Sequence, residues 1–192
     1  MLRHGQHAAA AWGRAIRTFG TDLVDSFAWA EFETPIEDLP KPEHRIADFL
    51  EQTEAPDRCS IVCNPPYSYI PGIAERFARH ALTLATKHVC ILVPSKWLSP
   101  GKDKKAWSQR SRLFRKDHPP RWVLHMSERP SMPPGDRIPA MGSRAFRGGM
   151  GDYCWIIWDV TQPTPVGGTR TVWLPPLAQN SEIVPLLEMG NA

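Results

Sequence analysis

An α/β fold built on an open, mostly parallel sheet is the class this chain predicts, and three features predict it. The apolar runs Ser60 to Cys63 and His88 to Val93 read as strands buried on both faces, the pattern of parallel pairing. Ile73 to Ala85, between them, carries a helical apolar repeat. Strand, helix, strand, helix in that order is the arrangement of a doubly wound sheet.

The elements follow in chain order. Ala8 to Ile16 is alanine-rich and reads as a helix ended near Gly20. Thr18 to Val24 reads as a short strand ending at Asp22. The next twenty or so residues are acidic and broken by prolines, hence loop. Ile46 to Leu50 is a short apolar segment around Asp48. The helix at Ile73 to Ala85 places Ile73, Phe77, Ala81, Leu84 and Ala85 on one face and Arg76, Arg79 and Thr83 on the other. Trp107 to Lys116 reads as helical. Arg121 to Met126 and Tyr153 to Val160 read as strands; no helix separates them, which suits an antiparallel edge pair joined by a long loop.

Composition limits the class of protein. A chain of 192 residues suits one domain, 1–192, with a proline-rich C-terminal extension at 163–192. Its 20 prolines are about double the usual share of ~5% and mark long ordered loops. Met1 to Ala11 lacks the apolar core of a signal peptide, and no apolar run approaches membrane-spanning length. A soluble, cytoplasmic protein with no membrane partner is expected. Cys59, Cys63, Cys90 and Cys154 show no paired short spacing, so buried thiols are favoured over a zinc site using Cys59, Cys63 and a histidine. No metal is expected.

The net charge of +3 identifies no partner, but its distribution is uneven. Lys102, Lys104, Lys105, Arg110, Arg112, Arg115, Lys116 and Arg121 fall in one short stretch opposed by Asp103 and Asp117. Such a cluster suits a phosphate-contacting surface, and equally a solvated helix face.

The feature most informative about function is Asn64-Pro65-Pro66-Tyr67, directly after the strand Ser60 to Cys63. Each proline fixes its own φ and lacks an N–H, and Asn64, preceding a proline, is held extended. A stiff turn at the carboxyl end of a strand results, where open α/β sheets place ligands; that strand is expected to be a central one, its turn facing Asp22 and Asp48 across a cleft. The Asn64 side-chain oxygen and the Pro65 carbonyl are two adjacent acceptors, able to hold both hydrogens of an exocyclic –NH2 group. That contact turns the nitrogen lone pair toward an electrophile by positioning. Tyr67 offers a flat ring on which a planar base or amide can stack.

This turn resembles the (Asp/Asn/Ser)-Pro-Pro-(Tyr/Phe/Trp) motif of S-adenosylmethionine-dependent amino-methyltransferases. From about Arg17 to Val160 the chain resembles phage and prophage adenine-specific DNA methyltransferases. The supporting anchors are Thr21 to Asp25, Ala47 to Leu50, Val93 to Leu98, Ser127 to Ser131 and Tyr153 to Asp159. The resemblance implies a Rossmann-like class I methyltransferase sheet with S-adenosylmethionine as cofactor. It assigns Asn64, Pro65, Pro66 and Tyr67 to catalysis, Asp22 to the cofactor's ribose hydroxyls, and Asp48 and Phe49 to its adenine. Alternative roles for the two acids are a turn or helix cap at Asp22 and a helix N-terminal charge at Asp48. DNA is the implied partner, with Lys102, Lys104, Lys105, Arg110 and Arg112 as weaker candidates for contacting it. Methyltransferases with this turn also modify RNA or protein glutamine, and both remain alternatives.

One part of the family pattern has no counterpart. A strand and glycine-rich loop should precede the alanine-rich helix, whereas Gly5 is the one glycine upstream of it. The sheet is therefore expected to lack its first strand unless a partner chain completes it. Unaided, the chain is expected to bind S-adenosylmethionine poorly and to transfer little methyl. A catalytically silent remnant that only binds nucleic acid or a partner chain is the alternative from a different class. Gly135 and Gly148-Gly149 suggest that the Pro130 to Pro139 loop closes over a substrate, or that it is an ordinary connection.

Overall fold

The computed structural model describes residues 19–23, 43–67, 70–99, 112–132, 138–142, 144 and 148–175. The predicted helix at Ala8 to Ile16, residues 107–111 of the one predicted at Trp107 to Lys116, and Lys102, Lys104, Lys105 and Arg110 lie outside them. Among the described residues the fold is mixed α/β, with a two-stranded parallel sheet and a five-stranded mixed sheet.

The small sheet pairs β1 (Phe19–Asp22) with β2 (Glu43–Ile46), and the ladder continues as Ala47 N–H donates to the Asp22 carbonyl at 2.8 Å. The larger sheet contains β3 (Ile61–Cys63), β4 (His88–Pro94), β5 (Trp122–Met126), β6 (Tyr153–Asp159) and β7 (Arg170–Leu174), in the order β3-β4-β6-β5-β7. Two pairs are parallel, β3 with β4 and β5 with β7. β6 runs antiparallel to both of its neighbours, β4 and β5. The four strands other than β6 therefore share one direction, and their carboxyl ends share one edge of the sheet.

Three expectations need correction. β3 stands at one end of the five-stranded sheet, not at its centre. Arg121 to Met126 and Tyr153 to Val160 do pair antiparallel, but not as an edge pair: β6 is inserted between β4 and β5. Its Cys154, Ile156 and Trp158 are buried, as a central position requires. The outer position next to β5 is taken by β7, drawn from the segment read as a C-terminal extension.

The helix α1 (Ile73–Leu84) packs on the face formed by Val89, Ile91, Val93, Val123, Cys154, Ile156 and Trp158. Its buried line is Ala74, Ala78, Ala81 and the following Ala85. These positions recur every three or four residues, so one stripe without large side chains lies against the strands and allows close approach. Phe77, placed on the buried face by the sequence pattern, turns instead toward Phe49 at a ring separation of 5.2 Å. Gly72 caps the helix start at φ 79°, a left-handed conformation that glycine adopts without a Cβ penalty.

The expected helical end of the basic stretch is a π-helical turn, Leu113–Asp117. Leu113 is fully buried, and Phe114 stacks on Trp158 with ring planes 7° apart. Trp158 Nε1–H donates to the His118 carbonyl at 2.7 Å, which fixes the exit of the turn. Arg79 Nη1 reaches Asp117 Oδ2 at 3.3 Å and ties the turn to α1. A short helix, α2 (Ile138–Met141), lies within the loop between β5 and β6. No described helix is long and apolar enough to cross a membrane.

Candidate functional site

Asn64 follows the last residue of β3, so the turn leaves the sheet at its carboxyl edge. Pro65 is fully buried and Pro66 exposed, so one proline anchors the turn while the other faces outward. The Asn64 side-chain oxygen is buried and has no hydrogen-bond partner among the described residues. Buried polar atoms are paired in the great majority of cases, and leaving one unmade costs about 1–3 kcal/mol.

Tyr67 is held from two sides. Its hydroxyl donates to the Leu92 carbonyl of β4 at 2.7 Å, and its ring lies 6.0 Å from that of Tyr153 at 57°. Burial, and then the proximity of Tyr153, Cys63 and Cys154, raises the Tyr67 hydroxyl well above its ordinary pKa. Tyr67 is therefore a neutral phenol and a fixed ring, not a proton-transfer group. The Cys63 thiol, adjacent to Asn64, is pushed up to about 12 by burial and by Cys90; burial pushes Cys90 to about 12 as well. Neither suits a nucleophile at neutral pH.

Asp22 and Asp48 lie at the carboxyl ends of the paired strands β1 and β2. Asp48 is the N-cap of the short 3-10 turn Phe49–Glu51, and its Oδ1 accepts from Leu50 N–H at 2.8 Å. Phe49 is held between Phe77 at 5.2 Å and the edge of His80 at 5.1 Å. These ring contacts join the segment after β2 to α1, and thereby to the larger sheet. Of the basic candidates, Arg112 is described: its Nη2 lies 3.4 Å from Asp117 Oδ1. Desolvation, the largest single influence, raises the Asp117 pKa, but hydrogen bonds and charge from Arg79 and Arg112 together outweigh it and hold the carboxyl below the usual range.

The sequence reading gave no site role to Tyr153, Arg129 or Asp152, though all three gather at the same sheet edge. Tyr153 opens β6 opposite Pro94, at the edge where β4 ends. Asp152 accepts from Ser95 N–H at 2.8 Å through its carbonyl, and its carboxylate meets Arg129 Nε at 2.8 Å. The signal that could have placed them is the reversed direction of β6, which returns its start to the exits of its neighbours.

No protein-family model matches the chain, and neither does any curated protein. Among solved structures, it is similar to a modification subunit of a putative type I restriction enzyme from Vibrio vulnificus YJ016. The TM-score is 0.39 at 12% identity, over 70% of this chain and 30% of that subunit.

Proposed function

We propose that this chain is a methyltransferase that moves a methyl group from S-adenosylmethionine to the exocyclic amine of adenine in DNA. The observation carrying the reading is the buried, unpartnered Asn64 side-chain oxygen at the carboxyl end of β3. Asn64 Oδ1 and the Pro65 carbonyl each accept one amine hydrogen, which orients the nitrogen lone pair outward. Tyr67, with its hydroxyl engaged by Leu92, supplies a fixed ring against the base. A base inside a duplex cannot reach such a turn, so it is extruded or single-stranded.

Two carboxylate acceptors and a ring are the side chains that would hold the adenosine half of the cofactor. Asp22 would accept from the ribose hydroxyls, Asp48 keeps a second carboxylate oxygen beyond the one capping Leu50, and Phe49 is a prearranged ring. When bound, the cofactor supplies an electrophilic methyl on a sulfonium. The protein's contribution is then positioning: neither a charged base nor a reactive thiol is required at the turn.

A second reading is favoured by the separation of the sheets. Among the described residues β1 pairs with β2 and β3 with β4, and no ladder joins the two sheets. A partner chain that supplies a strand between them would complete one sheet, and without it the chain is a remnant that binds nucleic acid. Expression in a host lacking adenine methylation, with mass spectrometry of digested genomic DNA, tests both readings. N6-methyladenine present with the natural chain and absent with Asn64→Ala supports the enzyme. An equal signal from both overturns the mechanism. No signal, with no S-adenosylmethionine binding, supports the remnant.

A further inference from the structure

The entry to β6 is clasped to the exits of β4 and β5 by three contacts. Asp152 joins both exits, through its carbonyl to Ser95 N–H and its carboxylate to Arg129 Nε, each at 2.8 Å. Gly149 lies so close to the loop after β5 that a Cβ there would collide with the Arg129 and Pro130 carbonyl oxygens. At Gly151 an added Cβ would stand 3.2 Å from the Tyr153 ring, so the missing side chain leaves room for that ring. The segment thus reaches Tyr153 with both sides constrained, and Tyr153 lies against Tyr67.

We infer that Arg129 and Asp152, with Gly149, are positioning residues that set where Tyr153 stands against Tyr67. The ion pair is solvent-exposed, with side-chain exposures of 59% and 68%. Exposed pairs contribute little to stability, so stabilising the fold is a weak account of this one. Its geometric effect is larger: it joins two loops that emerge from different strands on the same edge. The consequence for catalysis rests on the methyl-transfer reading; the effect on ring position does not.

The chain has three tyrosines, so 3-fluorotyrosine labelling yields three 19F resonances, assigned by Tyr67→Phe, Tyr69→Phe and Tyr153→Phe. Arg129→Asp and Asp152→Arg should each shift or broaden the Tyr153 and Tyr67 signals at unchanged melting temperature. The double charge swap should return both signals toward their original positions. Unmoved signals in the single variants, or no recovery in the double, overturn the inference. In an active preparation the same single variants should raise KM for adenine DNA by about fivefold, with recovery in the swap and unchanged cofactor affinity. Recovery of the 19F signals with no methyl transfer in any variant would leave the clasp standing and count against the proposed function instead.

Discussion

The Tyr67 hydroxyl donates to the Leu92 carbonyl at 2.7 Å, which binds the end of the Asn64–Tyr67 turn to the neighbouring strand. A turn with two prolines is stiff by itself; this contact fixes its orientation to the sheet. Tyr67→Phe keeps the ring and leaves a strand carbonyl short of a partner. It should cost about 1 kcal/mol in chemical denaturation, with base stacking retained. Tyr67→Ala should in addition weaken oligonucleotide binding, because stacking contributes about 1–3 kcal/mol per base.

Asn64→Ala should separate function from stability. The substitution removes a buried acceptor that has no partner among the described residues. Unfolding free energy should stay the same or rise by up to about 1 kcal/mol, while methyl transfer is lost. A clear fall in melting temperature would show that Asn64 holds the fold together.

Asp48 carries two roles that one substitution pair can divide. Asp48→Ala removes the cap on Leu50 N–H and should cost about 1 kcal/mol. Asp48→Asn retains a capping oxygen and loses the charge, so stability should be nearly unchanged. If the carboxylate contacts the cofactor, both variants should weaken S-adenosylmethionine binding in calorimetry; unchanged affinity in Asp48→Asn would assign the residue to capping.

Two half-buried thiols give a pH signature. Cys63 and Cys90 are raised from the ordinary value of 9.0 to about 12 in the folded chain. Their neutral forms therefore favour folding fully below pH 9, and that contribution is lost as pH rises from 9 toward 12. Thermal stability should decline across that window. At pH 8 a thiol with a pKa near 12 is ionised roughly one part in ten thousand, so iodoacetamide should label both far more slowly in the native than in the denatured chain.

Local sequence pattern located β3, β4 and α1 because each depends on residues within its own span. Ile61–Cys63 and His88–Pro94 are apolar runs closed at Pro65 and Pro94, and the helix has a clear repeat. Glu43–Ile46 and Arg170–Leu174 were not legible as strands. The first is mainly charged and the second follows a proline-rich stretch, so pairing with β1 and β5 defines them. The interior place of β6 is likewise a matter of pairing that its own residues do not state. At the site, the proline turn and its acceptors were legible. The hydroxyl contact from Tyr67 to Leu92 and the approach of Tyr153 were not, since each spans many residues.

The central claim is that Asn64 holds an exocyclic amine, and a binding comparison tests it without requiring turnover. Two short single-stranded oligonucleotides would differ at one base, adenine in one and purine, which lacks the amine, in the other. The natural chain should bind the adenine form more tightly, and Asn64→Ala should cut that preference about fivefold, the range of one hydrogen bond, leaving what the Pro65 carbonyl contributes. Equal affinities in the natural chain, or a preference undiminished in Asn64→Ala, would contradict it.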